Sequence, residues 1–222
     1  MRSAEATRRR ILDAAERLFA RHGVEATSLR QITAAARVNL AAVNYHFGAK
    51  DALIREVLAR RVGPVNQERL ARLRACEART GDQPPSVEEI VRAFVEPVLA
   101  LRADPDAGQA FTLLMGRSFF EPNLQVRRVI IGQMREVARR FTAALRRALP
   151  HLPETELWWR MHFSAGVLAH TLAGNVHLET LSGGRCDTSD LPAVLERLVA
   201  FVTAGLKAPL PGPKQRSGKR KC

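Results

Sequence analysis

Between Thr27 and Lys50 the chain gathers side chains whose chemistry suits a polyanion with readable edges. Asn39 and Asn44 carry amides that donate and accept at once, the pairing that a base edge in a major groove offers. Arg30 carries a planar guanidinium long enough to make two parallel bonds to a guanine. Tyr45 and His46 supply a hydroxyl and a ring N–H for phosphate oxygens. Thr27, Ser28 and Lys50 fall at expected helix N-termini, where free backbone N–H groups and the helix dipole favour an anion. Ala41 and Ala42 are small enough to let a helix backbone come close to bases. Each has an ordinary alternative: Asn39 caps a helix, Arg30 is a solvated charge, and a Tyr-His pair packs at a surface.

Other chemistry finds less support. No Gly-x-Ser-x-Gly elbow, phosphate-binding loop, dinucleotide fingerprint or His-Glu-x-x-His motif occurs, so an enzyme, acting on an acyl substrate for example, is not expected, and no cofactor is called for. His162, His170 and His177 recur at spacings of 8 and 7, whereas metal-binding pairs on a helix prefer i, i+4, so no metal is assigned. Cys76, Cys186 and Cys222 stand too far apart for a zinc ligand set or a disulfide framework, which suits a reducing cytoplasm. Lys and Arg outnumber Asp and Glu by 35 to 22, a net charge of +13. The excess is present in residues 1–61 alone, at 12 against 6. Nucleic acid is the commonest partner of such a chain, although a membrane surface or an acidic ligand would use the same sign. Arg8, Arg9 and Arg10 lead into an amphipathic segment, so no signal peptide is expected. The apolar run 161–178 is interrupted by His162, His170, Asn175 and His177, which suits a helix buried by protein better than a membrane span.

The elements that position the Thr27–Lys50 residues follow from periodicity. Ile11, Leu12, Ala15, Leu18 and Phe19 form one apolar stripe of a helix over Thr7–His22, which Gly23 stops. Thr27 and Ser28 precede a short helix, Leu29–Ala36, with Leu29 and Ile32 facing inward. A turn at Arg37-Val38-Asn39 leads to a third helix, Leu40–Phe47, capped by Asn39 and ended by Gly48. Val38, Leu40 or Val43, and Phe47 are the residues able to pack inward. Two short helices across a three-residue turn, braced by a preceding helix, are the geometry that sets the second of the pair into a major groove.

The remainder reads as helices separated by Thr80 to Pro85, Asp104-Pro105-Asp106, Glu121-Pro122-Asn123, Pro150 to Pro153 and Ser182-Gly183-Gly184, with a capping box at Ser86 and Glu89. About nine helices and no strands are expected: an all-α protein. The expected organisation is a helix-turn-helix DNA-binding domain over 1–50, a helical effector-binding and dimerisation domain over 51–208, and a disordered basic tail over 209–222. Small residues Ala165, Gly166, Ala169, Ala173 and Gly174 would let another helix approach residues 154–180. With residues 188–206 this segment is expected to form a four-helix interface between two copies. Most apolar residues of this region simply fill a core, but if it is a sensor, Phe94, Val98, Phe111, Met115, Phe119, Met134, Arg160 and Phe163 would line a pocket for a small hydrophobic effector.

The Thr27–Lys50 residues and their helices resemble the TetR family of one-component regulators. The likeness rests on Ile11-Leu12-Asp13-Ala14-Ala15-Glu16-Arg17-Leu18-Phe19, Thr27-Ser28-Leu29-Arg30-Gln31-Ile32, and Val38 through Gly48 with Lys50 and Leu53. It implies a homodimer on a palindromic operator, usually a repressor, released when a small molecule enters the C-terminal domain. It also implies that Arg30, Asn39, Ala41, Ala42 and Asn44 lie near base edges and that Thr27, Ser28, Tyr45, His46 and Lys50 lie near phosphates. The same third-helix motif, with Glu156-Leu157-Trp158-Trp159-Arg160-Met161-His162-Phe163 and Gly166, is similar to the PsrA-like regulators of fatty-acid degradation. That likeness implies a fatty acid or acyl-CoA effector, with Arg117, Arg127, Arg128 or Arg160 near an acidic head group. The basic tail departs from the subgroup's pattern, and a drug or aromatic effector is the alternative.

Overall fold

A computed structural model describes residues 2–103, 124–173 and 176–210. Among these residues there are nine α-helices and no strand. The first, α1 (Arg2–His22), begins five residues before the expected Thr7, with Glu5 in its first turn suiting the helix dipole. It ends at Gly23, whose φ of +83° is the left-handed backbone that glycine accepts without strain. Ser28 opens α2 (Leu29–Ala36) with a capping box. Its hydroxyl accepts from the Gln31 N–H at 3.2 Å while the Gln31 side-chain carbonyl accepts from the Ser28 N–H at 2.7 Å.

The turn after α2 uses a non-glycine residue in left-handed conformation. Arg37 sits at φ 53°, and the N–H groups of Arg37 and Val38 donate to the carbonyls of Ala34 and Thr33. The chain is thereby redirected into α3 (Leu40–Phe47), where the Asn39 side-chain oxygen accepts from the Ala42 N–H at 2.9 Å.

Two buried clusters follow from these helices. The first joins Ile11, Ala15 and Phe19 of α1 to Ile32, Val43 and Phe47, and to Leu53, Ile54 and Val57. Those last three belong to α4 (Lys50–Thr80), which continues into the second cluster through Val62, Val65 and Leu73. Val43 is fully buried and Leu40 is 45% exposed, so of the two it is Val43 that packs inward. Ion pairs Arg8–Glu56 at 2.6 Å, Arg60–Asp13 at 2.5 Å and Arg61–Glu16 at 2.8 Å tie α4 to α1.

On the later turns of α4 pack α5 (Val87–Ala100) and α6 (Leu124–Ala148), and α9 (Leu191–Lys207) packs on α5 and on α7 (Glu154–Ala173). A single 3-10 turn, Leu101–Ala103, follows α5. The helix expected over 154–180 is described as α7 and α8 (Val176–Leu181), with residues 174 and 175 outside the described residues. Within the 188–206 segment the amphipathic helix expected from Leu191 to Leu206 is α9, capped by the Asp190 side chain with Pro192 in its first turn. The expected apolar residues Phe111, Met115 and Phe119 lie outside the described residues, as does the tail beyond residue 210.

Arg160, expected at an acidic head group, does something else. Its side chain is buried, and its guanidinium pairs with Glu156 at 2.9 Å and donates to the carbonyls of Leu206, Ala208 and Pro209. These include carbonyls at the end of α9 that no further turn of helix can satisfy. Arg160 therefore joins α7 to the C-terminus of α9, with four of its five N–H donors engaged. Arg160→Met should lower the unfolding free energy by about 2–3 kcal/mol, since buried carbonyls lose their donors, as read by urea denaturation.

Candidate nucleic-acid interface and apolar cavity

The α3 helix divides into two faces. Val43 and Phe47 are buried against the first cluster, with Ala42 and His46 half-buried beside them. Leu40, Ala41, Asn44 and Tyr45 are exposed at i, i+1, i+4 and i+5, which puts them on one stripe away from the protein. Tyr45 is 82% exposed and meets the His46 ring edge-on at 5.0 Å. Such a stripe, small at Ala41, amide-bearing at Asn44 and aromatic at Tyr45, can enter a groove without first shedding internal contacts.

The surroundings are cationic. Arg30 is exposed on α2 and Arg37 is exposed at the turn, and neither forms an ion pair among the described residues. Lys50 is half-buried as the first residue of α4. Arg8 lies 5.7 Å from the centre of the Phe47 ring while bonded to Glu56, so it supports α3 from behind.

Two of the expected phosphate residues are engaged internally. Thr27 is 1% exposed, and its hydroxyl donates to the Gly23 carbonyl at 2.7 Å. It is corrected from a surface contact to a brace of the turn between α1 and α2. Ser28 is exposed, but its hydroxyl belongs to the capping box and also donates to the Gln31 side chain at 2.9 Å. Asn39 uses its oxygen as the α3 cap and keeps its NH2 group for other partners. The exposed Leu40 and Arg37 were missed by the sequence reading. The signal for Arg37 was its place in the turn, where any long cation must face outward.

Behind this unit lies a cavity of about 400 Å³ between α4, α5, α6, α7 and α9. Of the expected lining, Phe94, Val98 and Met134 are present. Phe163 is not: it is 59% exposed on α7 and stacks on Trp159 at 5.8 Å. Arg160 is absent from the lining for the reason given above. Arg69 of α4 lines the cavity and was missed. The signal was available, because Arg69 stands in the apolar stripe Val62, Val65, Leu73, Cys76 at helical spacing. Arg127 lies instead on an open groove along α6, with Ile131, Arg135 and Arg139. No described helix is long and apolar enough to cross a membrane.

The α7 and α9 surfaces also carry exposed aromatics. Trp159 and Phe163 stand on α7 with Gly166 exposed above them, and Phe201 is 66% exposed on α9. Ala169 faces the other way and is fully buried in its own chain. Of the small residues expected to admit another helix, Gly166 is thus on the outside and Ala169 is not.

A helix-turn-helix unit joined by a shared helix to an all-helical body defines a class of DNA-binding regulators. The sequence matches "Bacterial regulatory proteins, tetR family" over residues 11–57 and "Tetracyclin repressor-like, C-terminal domain" over residues 92–205. The chain belongs to the tetR family, whose members are transcriptional regulators and not enzymes. A curated relative, the HTH-type transcriptional regulator AcrR of Shigella flexneri, is 46% identical over 54 residues, which is 24% of this chain and 25% of that protein. The chain therefore matches about a quarter of that relative's length.

Among solved structures, the fatty acid degradation regulator FadR of Bacillus halodurans superposes with a TM-score of 0.62 at 16% identity, covering 90% of this chain and 96% of that one. FadR of Bacillus subtilis, in complex with stearoyl-CoA, gives 0.60 at 13%, covering 88% and 97%. A SmeT–triclosan complex gives 0.55 at 26%, covering 94% and 100%. The two FadR likenesses are of fold.

The capping role of Asn39 has a direct check. Asn39→Ala should lower stability by about 1 kcal/mol and Asn39→Asp should not, as read by urea midpoints of the two variants.

Proposed function

We propose that this protein is a homodimeric repressor that reads a palindromic operator with α3 and releases it when a small hydrophobic molecule enters the cavity. The observation that carries the DNA-binding part is the outward stripe Leu40, Ala41, Asn44 and Tyr45, rimmed by Arg30, Arg37 and Lys50. In this reading Arg30, Asn39, Ala41, Ala42 and Asn44 lie near base edges. Tyr45, His46 and Lys50 contact phosphates, with Ser28 offering the backbone of the α2 N-terminus. Residues 1–50 form the DNA-binding domain and 51–208 the effector and dimer domain. The tail 209–222, with Lys214, Arg216, Lys219, Arg220 and Lys221, adds non-specific attraction to phosphates. A site in the cytoplasm, where the DNA is, goes with this role.

The dimer is built by α7 and α9. Trp159, Phe163 and Phe201 give the apolar core of the interface, and Gly166 allows close approach. Two copies would then set their α3 helices about 34–36 Å apart, one turn of DNA, or somewhat more.

The effector reading rests on the cavity and its neighbours. Met134 and Phe141 of α6 line it, while Val129, nearer the start of α6, packs against the first cluster. An occupant of the cavity thus bears on helices that also support the DNA-binding unit. We place the protein with PsrA-like regulators, with a fatty acid or acyl-CoA as effector, in keeping with the fold likeness to a FadR that holds stearoyl-CoA. The second reading is an aromatic or drug-like effector, favoured by Phe94, Phe141 and Trp158 in the lining and by the likeness to the triclosan-bound SmeT.

Selection from a random duplex pool, followed by anisotropy titrations, tests the DNA-binding part. A two-fold symmetric site should emerge, and equal affinity for a shuffled duplex would overturn the reading. Lys50→Ala should weaken binding to all sequences and reduce the slope of log K against log salt by about one. A Phe163→Asp, Phe201→Asp double variant should sediment as a folded monomer, whereas an unchanged dimer would remove α7 and α9 from the interface.

A further inference from the structure

The cavity wall is apolar except at a few points, and one of these is a buried cation. Arg69 is 5% exposed, and among the described residues no carboxylate lies within ion-pair distance of it. Its partners among the described residues are all neutral. The Nε atom donates to the Phe94 carbonyl at 2.7 Å, and Nη1 donates to the Asn66 side-chain oxygen at 3.2 Å and lies 4.0 Å from the Met134 sulfur. The guanidinium carbon stands 4.1 Å from the centre of the Phe94 ring. Nη2 has no hydrogen-bond partner among the described residues.

Asn66 is itself fixed. Its NH2 group donates to the Gln133 carbonyl of α6 at 2.8 Å, which leaves its oxygen turned to Arg69. The guanidinium is thus held by α4, α5 and α6, and Nη2 is the nitrogen left without a partner among the described residues. Burial lowers its pKa to about 10, which still leaves it charged at neutral pH.

The other deeply buried guanidinium shows what is missing. Arg160 has Glu156 beside it in addition to its carbonyls. A buried charge ordinarily has a counter-charge, because desolvation is otherwise uncompensated. Among the described residues none stands beside Arg69, and the open space next to it is the cavity. With Nε and Nη1 donating to Phe94 and Asn66, Nη2 is what remains for a carboxylate, which it would meet through a charge-assisted N–H bond. The surrounding Val62, Val65, Ile90, Phe94 and Val98 suit an apolar body, and His162 and Ser164 are the other polar side chains of the described lining.

We propose that Arg69 is the specificity residue of the cavity and binds the carboxylate of an amphipathic monocarboxylic acid whose apolar chain or ring fills the remaining space. The inference rests on the effector reading above and narrows it: a free acid is chosen over its thioester, its alcohol or a neutral hydrophobe. Arg69 also joins α4 to the Phe94 carbonyl, so a purely structural role is the competing account.

The test is calorimetric titration of the full-length chain with dodecanoate, dodecanol and dodecanoyl-CoA. Wild type should bind dodecanoate about 30-fold more tightly than dodecanol, the discrimination given by a buried charged hydrogen bond. It should likewise prefer dodecanoate to dodecanoyl-CoA. Arg69→Met should bring dodecanoate to the level of dodecanol and leave dodecanol within about twofold, a split that a structural role would not produce. Arg69→Lys should retain part of the preference for the acid, and it serves with the wild-type comparison if the methionine variant does not fold. Equal binding of acid and alcohol by wild type, equal or tighter binding of the thioester, or an undiminished acid preference in Arg69→Met, would overturn the role of Arg69 while leaving the cavity as an effector site. Binding of none of the three would overturn both.

Discussion

The structure depends on the register of one helix. The 31-residue α4 supplies Leu53, Ile54, Val57 and Leu58 to the cluster that supports α3, and Val62, Val65 and Leu73 to the cluster around the cavity. Because both clusters close on the same helix, a rotation or slide of α4 in one bears on the other. Arg60 and Arg61 mark the crossing point, where their ion pairs to Asp13 and Glu16 pin α4 to α1. Glu16 is 5% exposed, so its pair with Arg61 is less screened by solvent than a surface pair. Gly63 and Pro64 follow at once. Pro64 has no N–H for the preceding turn, so the helix is held here by its packing and not by a full ladder.

The placement of the DNA-facing residues follows from that support. The α3 helix is only eight residues long, too short to persist alone, and it stands because Val43 and Phe47 are buried and Asn39 and Gly48 close its ends. What remains outside is a stripe with few internal obligations. The cavity has the opposite character, with a largely apolar wall crossed by a charge whose partners among the described residues are neutral and leave Nη2 unused. The two sites differ as their proposed ligands do, one a long polyanion met at the surface and the other a small molecule enclosed.

Much of the α1–α3 unit was legible because its determinants are local. The stripe of α1, the Asn39 cap and the Gly48 stop all act within one or two turns, and periodicity reads them directly. Thr27 was misplaced because its burial comes from the Gly23 carbonyl and the α1 end folding over it, while helix-terminal position alone pointed outward. The cavity was legible only in part. Phe94, Val98 and Met134 announce themselves as apolar residues, but Arg69 and Arg160 are alike in sequence. What separates them is which carbonyls and carboxylates α5, α6 and α9 bring alongside, a consequence of tertiary packing. Phe163 was misread for a similar reason. An aromatic on an amphipathic helix is ordinarily inward, and here the outward face of α7 is aromatic as well.

The central claim is that the outward stripe of α3 lies against base edges in a major groove, and disulfide trapping measures that contact itself. A chain with Cys76, Cys186 and Cys222 replaced by alanine would carry Ala41→Cys or, as a control at the far end of α4, Ala78→Cys. Each would be mixed with a selected operator bearing a thiol tethered to a cytosine N4 in the major groove. Ala41→Cys should cross-link rapidly at one position in each half-site, and Ala78→Cys should not. Full DNA binding with no cross-link at residue 41, or equal cross-linking from residue 78, would contradict the account.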